Sequence, residues 1–303
     1  MRTYTICFIT LLGLVSCQKD IKQNTIDDDK DSITEITYTS DPEDVLSNKN
    51  TETLLDHLEG KQSELKTKLQ SIKNKEEGDL LFSEYLKSFS TIIDSLNSSE
   101  ASTLKNYGTW NEKNKPDSIL LKEKRFKQLG MFIRNIDSNY YDIKLIPGFY
   151  QKLFHQKVSN ELKDYLKLVG KQNQLNYDIQ MQKKSFDIAN YRTLALDWEN
   201  YMRKYPNSVY KERIGKWYQE IMIKYLFGDK NNKTFDPVSK KFNENIEQEY
   251  ILLMKKHPKS KTSEITKAFM KYFYANEQVS NAKKFYQELQ TRTIDEITTK
   301  INS

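Results

Sequence analysis

The 303 residues predict an all-α fold, and three observations carry that prediction. Gly supplies 9 residues and Pro 6, about 3% and 2% against usual shares near 7% and 5%. Sandwiches, barrels and propellers, with their many turns, need more of both. Beyond residue 50, apolar residues recur at steps of three, four and seven, the period of a helix with one buried face. The apolar share of 37% is thin for one thick core. It suits layers of paired helices, in a chain long enough for about two domains.

The order of elements starts with an address. Arg2 precedes an apolar run from Ile6 to Val15, which closes on Leu14-Val15-Ser16-Cys17. That run is too short for a membrane span of about 20 residues, so residues 1–16 read as an export signal. Leu-Val-Ser-Cys resembles the lipobox of bacterial lipoproteins. The resemblance implies that Cys17 becomes the first residue of the mature chain and carries palmitate-type acyl chains. Several such chains, at about 0.8 kcal/mol per buried CH₂, pass the threshold for stable anchoring. The other thiol, Cys7, lies inside the signal, so disulfides and Cys-based metal sites are not expected. Gln18-Lys19-Asp20 resembles the export tag of surface-exposed outer-membrane lipoproteins of the Bacteroidota, although Ile21 interrupts the acidic run. The uncharged Gln18 directly after Cys17 fits retention in the outer membrane, with either the cell surface or the periplasm as the side faced.

Residues 17–50 read as a disordered acidic tether. Nine acids against four bases, with no Phe or Trp, cannot repay the entropy of ordering. A coil of that length has an end-to-end distance of about 30 Å and a full reach of roughly 110 Å. Asp27-Asp28-Asp29-Lys30-Asp31 lacks the Gly and Glu of a calcium loop, with Ser32 and Tyr38 at those places, and reads as solvated charge.

The remainder carries a net charge of +10 and divides into an N-terminal helical region, 51–140, and a C-terminal helical-repeat domain, 141–303. In the first, Leu54, Leu58, Leu65, Leu69 and Ile72 make one stripe. Phe82, Tyr85, Leu86, Phe89, Ile92, Ile93 and Leu96 make a second, and the short break between predicts an antiparallel helical hairpin. Ser98 to Asp117 is poorly periodic. Ile119 to Ile136 then reads as a helix with Leu120, Phe126, Leu129, Ile133 and Ile136 on one face. Asn139 to Gly148 interrupts the pattern, and Pro147 suits entry to a helix at Phe149. Further helices are expected over 159–170, 174–204, 208–227, 243–256, 261–275 and 279–290, with Gly228 terminating the third.

An internal repeat sits in this half. Tyr201-Met202-Arg203-Lys204-Tyr205-Pro206-Asn207-Ser208 aligns with Leu253-Met254-Lys255-Lys256-His257-Pro258-Lys259-Ser260, at an offset of 52. Trp217 then meets Phe269, and Ile221 meets Phe273. The residue before Pro is pushed out of the α region, which stops the first helix at Tyr205 or His257. Ser208 or Ser260 is placed to cap the next helix. A lysine, an aromatic, Pro and Ser between amphipathic helices resemble the tetratricopeptide-like repeats of outer-membrane lipoproteins over about residues 190–290. The resemblance implies stacked helix–turn–helix units. The offset exceeds the usual period of about 34, and small seating residues are few, chiefly Ala268, Ala275 and Ala282.

Chemistry finds few carriers. His57, His155 and His257 belong to no zinc motif, and the chain has no Gly-x-Ser-x-Gly and no Gly-rich phosphate loop. Neither an enzyme nor a cofactor is expected. Asp197-Trp198-Glu199 is the most suggestive acidic pair for a hydrolase, but positions two apart face different ways on a helix. Trp198 therefore reads as core, with the acids paired to Arg192 or Arg203. Tyr140-Tyr141, Phe149-Tyr150 and Tyr272-Phe273-Tyr274 are dense in aromatics, which at helical spacing are mostly core. Tyr107, Trp110 and Tyr141 lie in irregular segments and are the candidate contact surface.

The expected function is that of a lipid-anchored outer-membrane module that binds or scaffolds another envelope protein. Capture of a glycan or peptide is the first alternative and predicts an aromatic-lined concave pocket. An inhibitor or immunity-type lipoprotein is the second, and a carboxylate-dependent hydrolase, with two acids converging in the pocket, is the last. The positive excess suits acidic glycans, lipopolysaccharide phosphates or an acidic protein, while export to the envelope argues against nucleic acid.

Overall fold

A computed structural model describes residues 50–110, 113–137, 140–180, 185–276 and 278–302. Cys17, the signal and the tether lie outside the described residues. The chain divides into two units, Met1–Ser40 and Asp41–Ser303, and every described residue belongs to the second. Among them 72% are helical, in eleven α-helices with two small strand pairs, so the all-α reading holds. No helix among the described residues is long and apolar enough to cross a membrane.

The first two helices follow their apolar stripes. α1 (Thr51–Ser71) starts on Asn50, whose carboxamide oxygen accepts from Thr53 N at 2.9 Å. α2 (Lys75–Ser99) starts on Asn74, which accepts from Glu77 N at 2.8 Å, while Glu77 reaches back to Lys73 N at 2.8 Å. These contacts satisfy donors that a helix start leaves open. The pair is antiparallel: Thr51 and Ser99 hydroxyls meet at 2.7 Å at one end, and Lys68 approaches Glu84 near the other. Gly78 fixes where α2 sits. A Cβ there would lie 1.7 Å from the carbonyl oxygen of Lys157, so only glycine lets the helix rest on that turn.

After α3 (Ala101–Asn106), a 3₁₀ turn (Tyr107–Thr109) and α4 (Asp117–Gln128), the structure departs from expectation. The helix read across Ile119–Ile136 stops at Gln128. Gly130 then takes φ +76°, a left-handed value suited to glycine just past a helix end. Beyond it β1 (Met131–Asp137) and β2 (Tyr140–Leu145) pair antiparallel, Met131 opposite Leu145 and Ile133 opposite Ile143. Ile133 and Ile136 therefore belong to a strand. The boundary drawn between 140 and 141 falls inside β2. The hairpin is joined to α2 by Asn97, whose amide accepts from Ile143 N at 2.7 Å and donates to Ile143 O at 3.1 Å. One side chain thus supplies the pairing a third strand would give.

The C-terminal half runs α5 (Phe149–Phe154), α6 (Asn160–Gln180), α7 (Ile188–Lys204), α8 (Lys211–Phe227), β3 (Phe235–Asp236), β4 (Lys241–Phe242), α9 (Ile246–Lys256), α10 (Lys261–Ala275) and α11 (Ala282–Asn302). The single helix expected over 174–204 is two helices. Asp187 starts the second by accepting from Ala189 N at 2.9 Å. The last helix continues past the expected stop at 290.

The repeated turn is the same in both copies. Tyr205 has φ −128° and ψ 69°, and His257 has φ −131° and ψ 55°. Tyr205 N donates to Tyr201 O at 2.9 Å and His257 N to Leu253 O at 2.8 Å. Ser208 N and Ser260 N return to Tyr205 O and His257 O at 3.1 and 3.0 Å. The serines then differ. Ser260 caps α10, accepting from Ser263 N at 3.0 Å. Ser208 does not cap α8, which begins three residues later; its hydroxyl accepts from Tyr210 N at 3.1 Å in a local turn.

Aromatic residues fill the core of this half. Trp198 is fully buried among Tyr165, Tyr201 and Trp217, and its indole N–H donates to Gln172 at 2.9 Å. β3 and β4, inserted between the two helix pairs, bring in Phe235 and Phe242. These pack on Phe273 at centroid distances of 5.1 and 4.2 Å.

Candidate functional site

The three candidate contact residues come from two segments, and the fold brings them together. Tyr107 opens the 3₁₀ turn, Trp110 ends it, and Tyr141 lies on β2. The Tyr107 ring lies 5.0 Å from Tyr141 and 6.3 Å from Trp110, centroid to centroid. Gly108 makes the approach possible, since a Cβ there would stand 2.9 Å from the Tyr141 hydroxyl. All three aromatics are half-buried, each with one side packed and one side open.

Polar contacts lock the cluster from behind. The Tyr107 hydroxyl donates to Glu123, and Lys115 donates to Glu123 at 2.6 Å and to the Tyr107 oxygen at 3.2 Å. The same ammonium lies 4.8 Å from the Tyr107 ring centre, an attractive cation–π placement. Burial, reinforced by the carboxylate of Glu123, pushes the Tyr107 hydroxyl up to about 12, so it stays protonated and donates. Asn135 donates to the Tyr141 hydroxyl at 3.3 Å. Arg134 grips Asp142 across the strands through two bonds of 2.8 and 2.6 Å, a bidentate pair that stiffens the hairpin.

The cluster borders an open cleft of about 880 Å³ whose lining includes Leu104, Lys105, Gly108, Tyr140, Tyr141 and Lys144. Tyr140 is 74% exposed and Ile136 is 54% exposed. Ile136 sits at the break in strand register between Asn135 and Asp137, and an extra residue of this kind turns a side chain outward. Tyr140 thus stands exposed in the cleft lining, and Ile136 stands exposed on β1.

The remaining sequence candidates are dispersed. His57 is on α1, His155 follows α5 and His257 ends α9. Among the described residues no three His, Cys, Asp or Glu side chains converge as metal ligands would. Neither acid of Asp197-Trp198-Glu199 pairs with Arg192 or Arg203. Asp197 pairs with Lys171, Arg192 with Glu249 at 2.5 Å, and Arg203 donates to Asn200 at 2.8 Å. Glu199 reaches across to α10, accepting from Lys261 N at 2.8 Å and Thr262 N at 2.9 Å. A carboxylate 62 residues earlier in the chain thus caps the second repeat's helix.

Sequence reading did not reach Glu123, Lys115 or Gly108. The Lys115–Glu123 spacing spans two segments, and only the glycine beside Tyr107 gave a local signal. Compared with models of known protein families, with curated proteins and with solved structures, the chain matches none.

Proposed function

We propose that the chain is a lipid-anchored helical docking module of the outer membrane that holds another envelope protein at the cleft beside Tyr140 and Tyr141. The observation that carries the reading is the packing of Tyr107 against Trp110 and Tyr141, with Tyr141 and the exposed Tyr140 lining an open cleft. Tyr and Trp are the residues that anchor protein interfaces, because they offer large rigid area with a polar tip. The second support is the Leu-Val-Ser-Cys sequence ending at Cys17, which resembles a lipobox and supplies the anchor. The cluster is held from behind by Glu123 and Lys115, so its shape is fixed before a partner arrives.

The test is photo-crosslinking in membranes from the native host, with a benzophenone amino acid at position 140. One stoichiometric envelope protein should be captured, and capture should fall about tenfold or more when Lys105 and Tyr141, both in the cleft lining, are replaced by Ala. Equal capture by the double variant would remove the cleft from the docking surface. Protease shaving of intact cells reports the side faced: digestion places the module outside, and survival until lysis places it in the periplasm.

A further inference from the structure

A second concavity lies on the opposite run of the chain, where α5, α6 and α7 meet. It encloses about 740 Å³, within the range of ligand sites, and continues into a neighbouring hollow of about 400 Å³ that shares Gln151, His155, Asp164 and Lys167 with it. Its floor is backbone. Gly148 and Gly170 meet there, and a Cβ on Gly170 would lie 3.4 Å from the Gly148 Cα and 2.8 Å from the Gln151 amide oxygen. A side chain at 170 would push α6 away from the turn that opens α5.

The charge of the lining is uneven. Each of its two carboxylates already has a cation: Asp164 is 2.7 Å from Lys204, and Asp197 is paired with Lys171. Lys152, Lys163 and Lys167 are exposed; among the described residues none of them forms a close ion pair, and Lys167 adds to the positive field at Asp164. His155 stands with them at the rim. Lys152 lines the larger hollow, Lys163 the smaller and Lys167 both, so the joined concavity carries an excess of ammonium groups that favours an anion.

The other lining groups say what kind of anion. Gln151 and Asn200 are amides, each able to donate and accept, and the two lysine-neutralised aspartates add acceptors. A sugar hydroxyl also donates and accepts, so such a surface suits it. The walls between are lysine stems, with Leu168 and Pro147, which match the C–H faces of a sugar ring. An acidic peptide would ask instead for apolar pockets for its side chains, and a lipid bilayer would ask for a flat or convex cationic face. We propose that this groove binds an acidic oligosaccharide, with the acid groups held by Lys152, Lys163 and Lys167 and the hydroxyls by the amides and aspartates. The site is separate from the aromatic cleft and stands or falls without it.

Titration calorimetry on the mature chain tests the assignment with tetragalacturonate and a phosphorylated maltotetraose, against neutral maltotetraose, tetraglutamate and phosphatidylglycerol vesicles. At least one acidic sugar should bind and weaken as salt rises, and maltotetraose should not bind. The triple variant Lys152→Ala, Lys163→Ala, Lys167→Ala should lose about tenfold or more in affinity. Its thermal midpoint should not move, because all three side chains are exposed. Triple substitution by Arg, which keeps the charge, should retain binding. The proposal is overturned if neither acidic sugar binds, if the Ala variant binds as well as the parent, or if tetraglutamate or the vesicles bind as tightly as the sugar.

Discussion

Glu100 is a carboxylate only 3% exposed, held by Lys122 at 2.6 and 2.8 Å and by the Thr51 hydroxyl at 2.5 Å. Burial alone would raise its pKa, but the hydrogen bonds from Lys122, Thr103 and Thr51 outweigh burial and leave it lowered. A carboxylate with a depressed folded pKa stabilises the fold above its unfolded value, near 4.3 for Glu. That contribution is lost as pH falls through the folded value. Replacing Lys122 by Met leaves the charge buried without its partner and reverses the sign. The variant should lose roughly 1–3 kcal/mol in urea unfolding at pH 7, and the loss should shrink in acid, once the pH has fallen through the lowered folded value of Glu100. An equal loss at neutral and acid pH would mean the pair contributes packing and no charge interaction. Such contacts were not legible in the sequence. Glu100 and Lys122, like Glu199 and the start of α10, are joined by folding across segments, and no local pattern marks them.

At the scale of elements, legibility followed periodicity. α1, α2 and α8 to α10, and the end of α7, were readable because their apolar residues keep helical steps and their ends carry Asn, Gly or Pro. The β1–β2 hairpin was missed because Ile133 and Ile136 also fit a helical face continuing from Leu129. The contrary signal was Gly130, whose positive φ ends α4, followed by apolar residues alternating at Met131 and Ile133 and at Ile143 and Leu145. The aromatic site was legible by its irregular surroundings, while the groove between α5 and α7 was not, since its lysines look like solvated helix faces one helix at a time. The repeated turn yields a prediction at this scale. Tyr205 and His257 are held out of the helical region by the prolines that follow. Changing Pro206 and Pro258 to Ala together should relieve that restriction, favour continuous helices and weaken the packing of α7 on α8 and α9 on α10. The thermal midpoint should fall by several degrees, as expected for roughly 1–2 kcal/mol in a domain of this size. An unchanged midpoint would show that packing alone sets the turns.

For the whole molecule, the anchor proposed at Cys17 lies outside the described residues, and every described residue belongs to the second unit. Cys17→Ala should give a protein with unchanged circular dichroism that is no longer retained by membranes and takes up no labelled palmitate. Label entering the variant would place the lipid elsewhere. Within the helical unit, the carboxylate of Glu199 joins the two repeats, because it accepts from the leading amides of α10. If the last helices peeled away from α7, those two N–H groups would lose their acceptor, so fraying from the C-terminal end should halt at this junction. Slow deuterium uptake at residues 261 and 262 would then act as a gauge of whether the whole array is intact, although both lie at a helix start, where exchange is usually fast.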